Sequence, residues 1–536
     1  MSRKLFKSTA VVALFTFLSR ISGLVRDIVV SSYFGAKGGT DAFFVAFKIP
    51  NFFRRLFAEA SFAYAFVPVL TEYREKRSHK EVQDLVDKVA GSLASVLFLV
   101  TLVGVIASPI VIMMFAPKWI NEPDKLSLAA AMLVLTFPYL FFISLTALAG
   151  GILNAYGKFA VPAFTPVLLN LSIIGSAVWL SGAFGPNLEI VSMWGKDLVE
   201  LDGRVMSLAW GVFIAGIVQL LFQIPFLMKI GLLPKPKWGF NDGGVRRIMK
   251  LMVPTLISSS VLQISLLIDL WLATSLTEGS VSWLYFSDRL VEFPLGVFGI
   301  ALATVVLPAL AKHYTDKSDE KFSGTMDWSL RWMFVISIPS AVGLFVLASP
   351  LITTMYYRGK FDADDVLMTS WALMAYSVGL FGFILTKVLS PGFYARQDTK
   401  TPMVAAIKAL VIKVILSLLL LYLFSVMQWR GAHIGLALST ALAALLNAWF
   451  LYRSLRKENI YQPGKGWTAD ISRILLAVVV MAGLILLLSP AADAWLSMGL
   501  LERIWRVLLY VGLGVFAFLA TAIIAGMRPW RWKSSI

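Results

Sequence analysis

The chain has 536 residues, of which 58% are hydrophobic and only 15% are charged, and its mean hydropathy is +0.78. A soluble domain carries about 25% charged residues, so the composition excludes a soluble globular protein. The lack of cysteine excludes disulfides and thiolate metal sites. In a membrane protein, the net charge of +17 reflects basic cytoplasmic loops rather than nucleic-acid binding.

Apolar stretches long enough to cross a bilayer recur along the whole chain. A spanning helix needs roughly 20 apolar residues, and the sequence predicts about fourteen such helices. In chain order they cover residues 8–34, 40–70, 85–115, 127–153, 161–182, 205–228, 247–275, 282–311, 327–350, 366–394, 402–426, 432–452, 469–489 and 504–526. The first, second and eighth contain charged residues. The first is expected to be a retained helix, because no small-residue cleavage site follows it.

The distribution of Lys and Arg among the loops predicts the orientation in the membrane. The strongest cytoplasmic marker is the run Lys229, Lys235, Lys237, Arg246, Arg247 and Lys250. The acidic loop 183–204 is the clearest outer segment. Both termini are therefore expected in the cytoplasm, which requires an even number of spans.

The sequence contains an internal repeat. Residues 65–70 resemble 305–310, residues 107–110 resemble 348–351, and Pro162 resembles Pro402, so the offsets are 240 or 241 residues. Each copy holds six predicted spans, which makes the copies parallel repeats. We expect an all-α polytopic protein with an N-lobe (1–230), a C-lobe (246–458) and two additional helices (468–526). Two such lobes predict a central substrate cavity between them.

Charged side chains lie inside the first predicted span, where each costs about 2.5–3.5 kcal/mol on insertion scales. Arg20 and Asp27 are seven residues apart and share a helix face. Gly23 can bend the helix between them. An Arg26–Asp27 structural pair is the alternative interpretation, but it leaves a surplus positive charge.

The second span is the most highly charged, and its charged residues are Asp41, Lys48, Arg54, Arg55 and Glu59. Five charges are too many for a lipid-facing helix, so this span is predicted to line a water-filled cavity. On a regular helix Asp41, Lys48, Arg55 and Glu59 form one stripe. Pro50 can shift the phase, so spacing leaves the choice between Arg54 and Arg55 open.

The eighth span carries Asp288, Arg289 and Glu292, either as part of the cavity or as a self-neutralised triad. The arginine surplus predicts an anionic substrate, because guanidinium groups bind phosphate and carboxylate in a bidentate manner. No P-loop or other catalytic constellation accompanies it. The chain is therefore expected to be a transporter driven by a gradient or the membrane potential, not an enzyme.

Three segments resemble the MurJ/MviN family of lipid II flippases, in the multidrug/oligosaccharidyl-lipid/polysaccharide exporter superfamily: 40–59, 283–294 and 391–398. The resemblance implies fourteen helices, two lobes and two extra C-terminal helices with a groove for a polyprenyl tail. It implies that the substrate is lipid II, an undecaprenyl-pyrophosphate carrying the peptidoglycan disaccharide-peptide. The protein would flip it from the cytoplasmic to the periplasmic leaflet by alternating access.

The resemblance also implies roles for individual residues. Arg20, Arg26, Arg54 and Arg289 match substrate-binding arginines, which selects Arg54 over Arg55. Gating or charge balance is implied for Asp27, Asp41, Lys48, Glu59, Asp288 and Glu292. The family's sodium site is only partly matched: Asp269 offers one ligand, whereas the eleventh span offers Lys408 and Lys413 but no acid. This departure argues against sodium coupling and favours the membrane potential, with no cofactor.

Other functions fit the sequence less well than lipid II flipping. The nearest rival is a flippase for another polyprenyl-pyrophosphate-linked glycan. A drug or cation antiporter should show cavity carboxylates without an arginine surplus, and a non-transporting scaffold leaves the buried charges unexplained. The expected partners are lipid II, membrane lipids and cell-wall synthesis proteins, but no nucleic acid. The expected location is the bacterial inner membrane.

Overall fold

The computed structural model describes residues 3–55, 63–185, 188–192, 195–199, 202–528 and 532. It divides into two compact units, Met1–Ser282 and Trp283–Ile536. Nearly all of the described backbone is helical, which confirms the predicted helical class. The exception is a small antiparallel hairpin within the acidic loop 183–204, formed by β1 (Leu188–Ser192) and β2 (Gly195–Val199).

The first unit is built from ten helices within its described residues and the start of an eleventh. They are α1 (Arg3–Phe34), α2 (Gly38–Arg54), α3 (Ala63–Lys76), α4 (His79–Ile106), α5 (Ser108–Phe115), α6 (Pro123–Thr136), α7 (Tyr139–Ala155), α8 (Ala160–Gly175), α9 (Met206–Lys229), α10 (Gly243–Thr274) and α11 (Ser280–Pro294).

The second unit contains the rest of α11 and nine further α-helices among its described residues. They are α12 (Ile300–Thr315), α13 (Asp319–Val346), α14 (Ala348–Tyr356), α15 (Ala363–Tyr394), α16 (Lys400–Val426), α17 (His433–Lys457), α18 (Trp467–Leu488), α19 (Ala492–Ser497) and α20 (Leu500–Ile524).

Each of the fourteen predicted spans coincides with helical segments. In the described part of the chain, ten helical stretches are long and apolar enough to cross a membrane. The first, second, seventh and eighth predicted spans are not among them. Three of these four carry the charges noted in the sequence. The count of fourteen stays a prediction.

The internal repeat is visible in where helices break. The third predicted span breaks at Ala107, between α4 and α5, and the ninth breaks at Leu347, between α13 and α14. A proline follows each break, Pro109 and Pro350, early in the new helix. Proline lacks the N–H that would continue the preceding ladder but fits the first turn of a new helix.

Helix packing in the first unit places α1 against α8 and α2 against α6. The second contact explains how α2 continues through Pro50 as one helix. Because Pro50 has no N–H, the carbonyl of Ala46 loses its usual helical donor. The Thr136 hydroxyl of α6 donates to that carbonyl at 2.9 Å.

The segment between α9 and α10 (residues 230–242) is held against α4 of the first unit by a hydrogen bond and an ion pair. The Lys237 backbone N–H donates to the Asp87 carbonyl at 3.0 Å, and the Lys237 ammonium lies 2.9 Å from the Asp87 carboxylate. Burial alone raises the pKa of Asp242, the N-cap of α10, but hydrogen bonds from Lys88 and two backbone amides lower it overall. By its packing α10 therefore belongs with the first unit, whereas the repeat pattern assigns residues 246–458 to the second lobe.

In the second unit, the two additional helices α18 and α20 pack on each other and on α13. Their shared core includes Trp495, Tyr510 and Phe518. One end of α18 is tied to α13 through Arg331, which forms ion pairs with Asp327 and Asp470. Arg473 supplies a second positive charge at 3.3 Å from Asp470, so the two acids are matched by two arginines.

Candidate functional site

Arg26 is held by two acceptors in the middle of the first unit. Its Nε and Nη2 atoms donate to Asp27 Oδ1 at 2.9 and 2.6 Å, and its Nη1 atom donates to Asn170 Oδ1 at 3.0 Å. Arg26 is 5% exposed and Asp27 1% exposed. The Arg26–Asp27 pair that was the alternative interpretation is therefore present, and it is supplemented by an amide from α8.

Asn170 was not singled out by the sequence analysis. Its Nδ2 atom donates to the Ser19 carbonyl at 3.1 Å and to Ser22 Oγ at 2.8 Å, on either side of Arg20. Gly23 also faces this amide, since a Cβ at that position would be in ordinary contact with it at 3.6 Å. An amide inside an otherwise apolar span was the available signal.

Arg20 lies on α1, seven residues before Asp27, and is half-buried. Among the described residues, no hydrogen bond or ion pair to Arg20 is found. The positive charge of Arg20 is therefore not neutralised by a neighbour in the described part of the chain. A partly buried guanidinium in this state is ready to accept an anionic group.

At the other end of α2, Arg54 and Arg55 differ in their surroundings. Arg54 is half-buried, and its Nε atom donates to Asn51 Oδ1 at 3.0 Å, whereas Arg55 is exposed. Lys48, earlier on the helix, is half-buried. Glu59 lies outside the described residues, so its predicted gating role stays a prediction.

Asp41 does not sit beside an arginine; it caps the start of α11. Its carboxylate accepts hydrogen bonds from the Gly279 N–H (2.7 Å), the Ser282 N–H (2.9 Å) and the Ser282 hydroxyl (2.6 Å). These bonds satisfy donors that an isolated helix N-terminus leaves free. The predicted cavity stripe therefore begins with a carboxylate committed to a helix end.

A second carboxylate makes the reciprocal contact. Glu278 Oε1 accepts a hydrogen bond from the Gly38 N–H at 2.6 Å, at the first residue of α2. Lys125 lies 2.7 Å from Glu122 and 3.7 Å from Glu278, which offsets the local negative charge. Gly38 and Glu278 are 240 residues apart, so the contact joins equivalent positions of the two repeats. The N-termini of α2 and α11 are thus clamped to each other within the first unit.

In the second unit, Arg289 is paired within its own helix. Its Nη1 atom lies 2.8 Å from Glu292 Oε2, and its Nη2 atom donates to the Tyr285 hydroxyl at 3.1 Å. The guanidinium is also stacked over the Tyr285 ring at 5.2 Å. Asp288 is exposed. Of the predicted triad, the structure brings Arg289 and Glu292 together, with the Tyr285 ring beside the guanidinium.

The chemistry offered by these residues is anion binding. Two of the four arginines, Arg26 and Arg289, are paired with an acid on their own helix, each through one carboxylate oxygen. A phosphate can take the place of such an acceptor and offers the guanidinium two oxygens. Groups of His, Cys, Asp and Glu able to hold a metal ion are not found among the described residues.

Comparisons with known proteins show which family the chain resembles. The family model described as lipid II flippase MurJ matches residues 30–505. A probable lipid II flippase MurJ of Vibrio cholerae is 43% identical over 534 residues, covering 98% of this chain and 97% of that protein.

Solved structures give the same result. A lipid II flippase MurJ in an inward closed conformation has a TM-score of 0.76 and 27% identity, covering 96% of this chain and 98% of that one. An inward-facing multidrug resistance MATE family transporter has a TM-score of 0.65 at 14% identity, covering 84% of this chain and 98% of that one, and shares the fold alone. The chain is thus a multi-pass membrane transporter rather than an enzyme, and it belongs to the lipid II flippase MurJ family.

Proposed function

We propose that this protein flips lipid II from the cytoplasmic to the outer leaflet of the bacterial inner membrane, with both termini in the cytoplasm. The observation that carries the proposal is the state of its arginines. Arg20 is half-buried with no anionic neighbour among the described residues, and Arg26 and Arg289 are held by acids on their own helices. A lipid diphosphate is the substrate that this set of guanidinium groups fits best.

Asp27 and Glu292 neutralise Arg26 and Arg289 when no substrate is bound. Breaking a buried ion pair without replacing the partner costs about 3–5 kcal/mol, so the buried Arg26 needs a carboxylate whenever substrate is absent. The Arg289–Glu292 pair is more exposed and therefore weaker. When the lipid II diphosphate binds an arginine of this kind, it replaces the carboxylate as the acceptor, as at Arg26 and Asp27. After release the acids return, which allows the unloaded protein to change conformation without stranded charges.

Asp41 and Glu278 control one end of the pathway. Their hydrogen bonds hold the starts of α2 and α11 together. Opening at this end requires these charge-assisted bonds to break, each worth about 1.5–3 kcal/mol. Under the proposed orientation this end is the outer face, so the hydrogen bonds of Asp41 and Glu278 keep the pathway closed on the periplasmic side. The membrane potential supplies the driving force, and cell-wall synthesis enzymes are the expected partners.

The test uses cells depleted of their own lipid II flippase and supplied with this protein. Surface exposure of lipid II is measured with a membrane-impermeant probe that cleaves or labels only the outer pool. Wild type should restore exposure, and Arg20→Ala should not, at equal protein level in the membrane. Restoration of a different polyprenyl-linked glycan, without lipid II exposure, would assign the protein to that rival substrate instead.

A further inference from the structure

Two arginines of the second unit lie together at the ends of short helices. Arg358 follows α14, and its Nη2 atom donates to the carbonyls of Thr354 (2.8 Å) and Met355 (3.0 Å). Arg503, in the first turn of α20, donates to the carbonyls of Tyr357 (3.1 Å) and Leu496 (2.9 Å). Arg503 therefore contacts the residue that precedes Arg358, and its charge is close enough to act on the Arg358 guanidinium.

Neither guanidinium has an acidic partner. Among the described residues, no carboxylate lies within 4 Å of either arginine, and the Nε atom of each is buried without a hydrogen-bond acceptor. Arg503 is only 7% exposed. Burial and the charge of Arg503 both lower the pKa of Arg358. The acid closest in sequence, Glu502, is engaged by Arg506 at 2.8 Å.

A purely structural role explains only part of this arrangement. Arginines that donate to the last carbonyls of a helix stabilise its C-terminus, and both arginines do so. Arg503, however, also sits at the positive N-terminal end of α20, where acidic residues are favoured. Capping the helix ends does not require a buried cation and a half-buried cation close together. The pair lacks an anion.

The surrounding surface is suited to lipid. The same end of α20 exposes Leu501 (82%), Trp505 (66%) and Leu508. Apolar residues with an exposed tryptophan at a helix end are typical of the boundary between the hydrocarbon core and the head groups. A phosphate at the arginine pair would therefore have room for acyl or prenyl chains along α20.

We propose that Arg358 and Arg503 form a binding site for the phosphate group of a membrane lipid, separate from Arg20, Arg26, Arg54 and Arg289. Two sources share this chemistry, a glycerophospholipid and a polyprenyl phosphate. Basic residues near a membrane surface contribute about 1 kcal/mol each to binding anionic lipid. Loss of one arginine should then weaken binding about fivefold, and loss of both about thirtyfold.

The experiment measures lipid binding to the purified full chain by native mass spectrometry. The probes are phosphatidylglycerol, undecaprenyl phosphate and diacylglycerol, which lacks phosphate. The variants are Arg358→Gln and the double variant Arg358→Gln/Arg503→Gln, since glutamine can still donate to the carbonyls. Arg506→Gln is the matched control, because Arg506 lies on the same helix and already has an acidic partner.

The proposal expects weaker binding of at least one phosphate lipid to both variants, with diacylglycerol and the control unchanged. The lipid that loses more affinity identifies the source. Phosphate-lipid binding within twofold of wild type in the double variant overturns the proposal. An equal loss of diacylglycerol also overturns it, because the arginines then act only on the fold. If the double variant does not fold, unchanged binding by Arg358→Gln, whose arginine is only half-buried, overturns the proposal.

Discussion

Replacing Asn170 by leucine tests whether α8 positions the arginines of α1. The amide makes one hydrogen bond to Arg26 and two to Ser19 and Ser22. A bond to a charged group contributes about 1.5–3 kcal/mol, and polar bonds between membrane helices average about 0.6 kcal/mol each. The sum is about 2.5–4 kcal/mol, and new apolar contacts of leucine offset part of it, so we expect a loss near 2 kcal/mol.

The assay pairs thermal unfolding in detergent with lipid II flipping in vesicles. Asn170→Leu should unfold at lower temperature and flip about tenfold more slowly at equal protein amount, because Arg26 loses one of the acceptors that orient it. Leu171→Ala is the control, since Leu171 is the next residue and is 51% exposed. Wild-type stability and flipping in Asn170→Leu would show that this contact positions nothing.

Three further substitutions test the contact of Asp41 with the start of α11, the packing of the 230–242 segment on α4, and the second span. Asp41→Asn should speed amide hydrogen exchange in residues 278–284, because an amide oxygen cannot accept all three hydrogen bonds from Gly279 and Ser282. Unchanged exchange would show that Asp41 does not hold the start of α11. Gly91→Ala should destabilise the protein by about 1–3 kcal/mol in thermal unfolding, because the new Cβ would lie 2.0 Å from the Lys237 carbonyl oxygen. Gly343→Ala is the control and should not destabilise the protein, because a Cβ there would meet open space. Arg54→Gln should slow lipid II flipping at least about tenfold, with Arg55→Gln within about twofold as its control; equal effects would refute the choice of Arg54.

The helices were predictable because their causes are local. Apolar length sets a span, and a proline favours the start of a new helix. The sequence match of 107–110 with 348–351 therefore falls where both repeats break, although both spans were predicted as continuous. Contacts between near neighbours were also within reach. The Arg26–Asp27 and Arg289–Glu292 pairs join residues one and three positions apart. The first was named as an alternative from the sequence, and the second is part of the self-neutralised triad that was named with Asp288.

The partners that sequence reasoning missed are distant or belong to the backbone. Asn170 is 144 residues from Arg26, and no local spacing relates the two. Asp41 was read as a cavity charge, yet its acceptor atoms are used by the N–H groups of Gly279 and Ser282. Backbone donors leave no mark in a sequence. The choice between Arg54 and Arg55 depended on the helix phase after Pro50, which is set by tertiary contacts such as that of Thr136.

The most direct test of the central claim is lipid II flipping by the purified protein in vesicles, comparing wild type with Arg20→Gln and Arg20→Lys. The account predicts transport by wild type, loss of at least about tenfold in Arg20→Gln, and partial retention in Arg20→Lys, because lysine keeps the charge but not the bidentate geometry. Equal transport by all three proteins would contradict the claim that the arginines of this protein carry the lipid diphosphate.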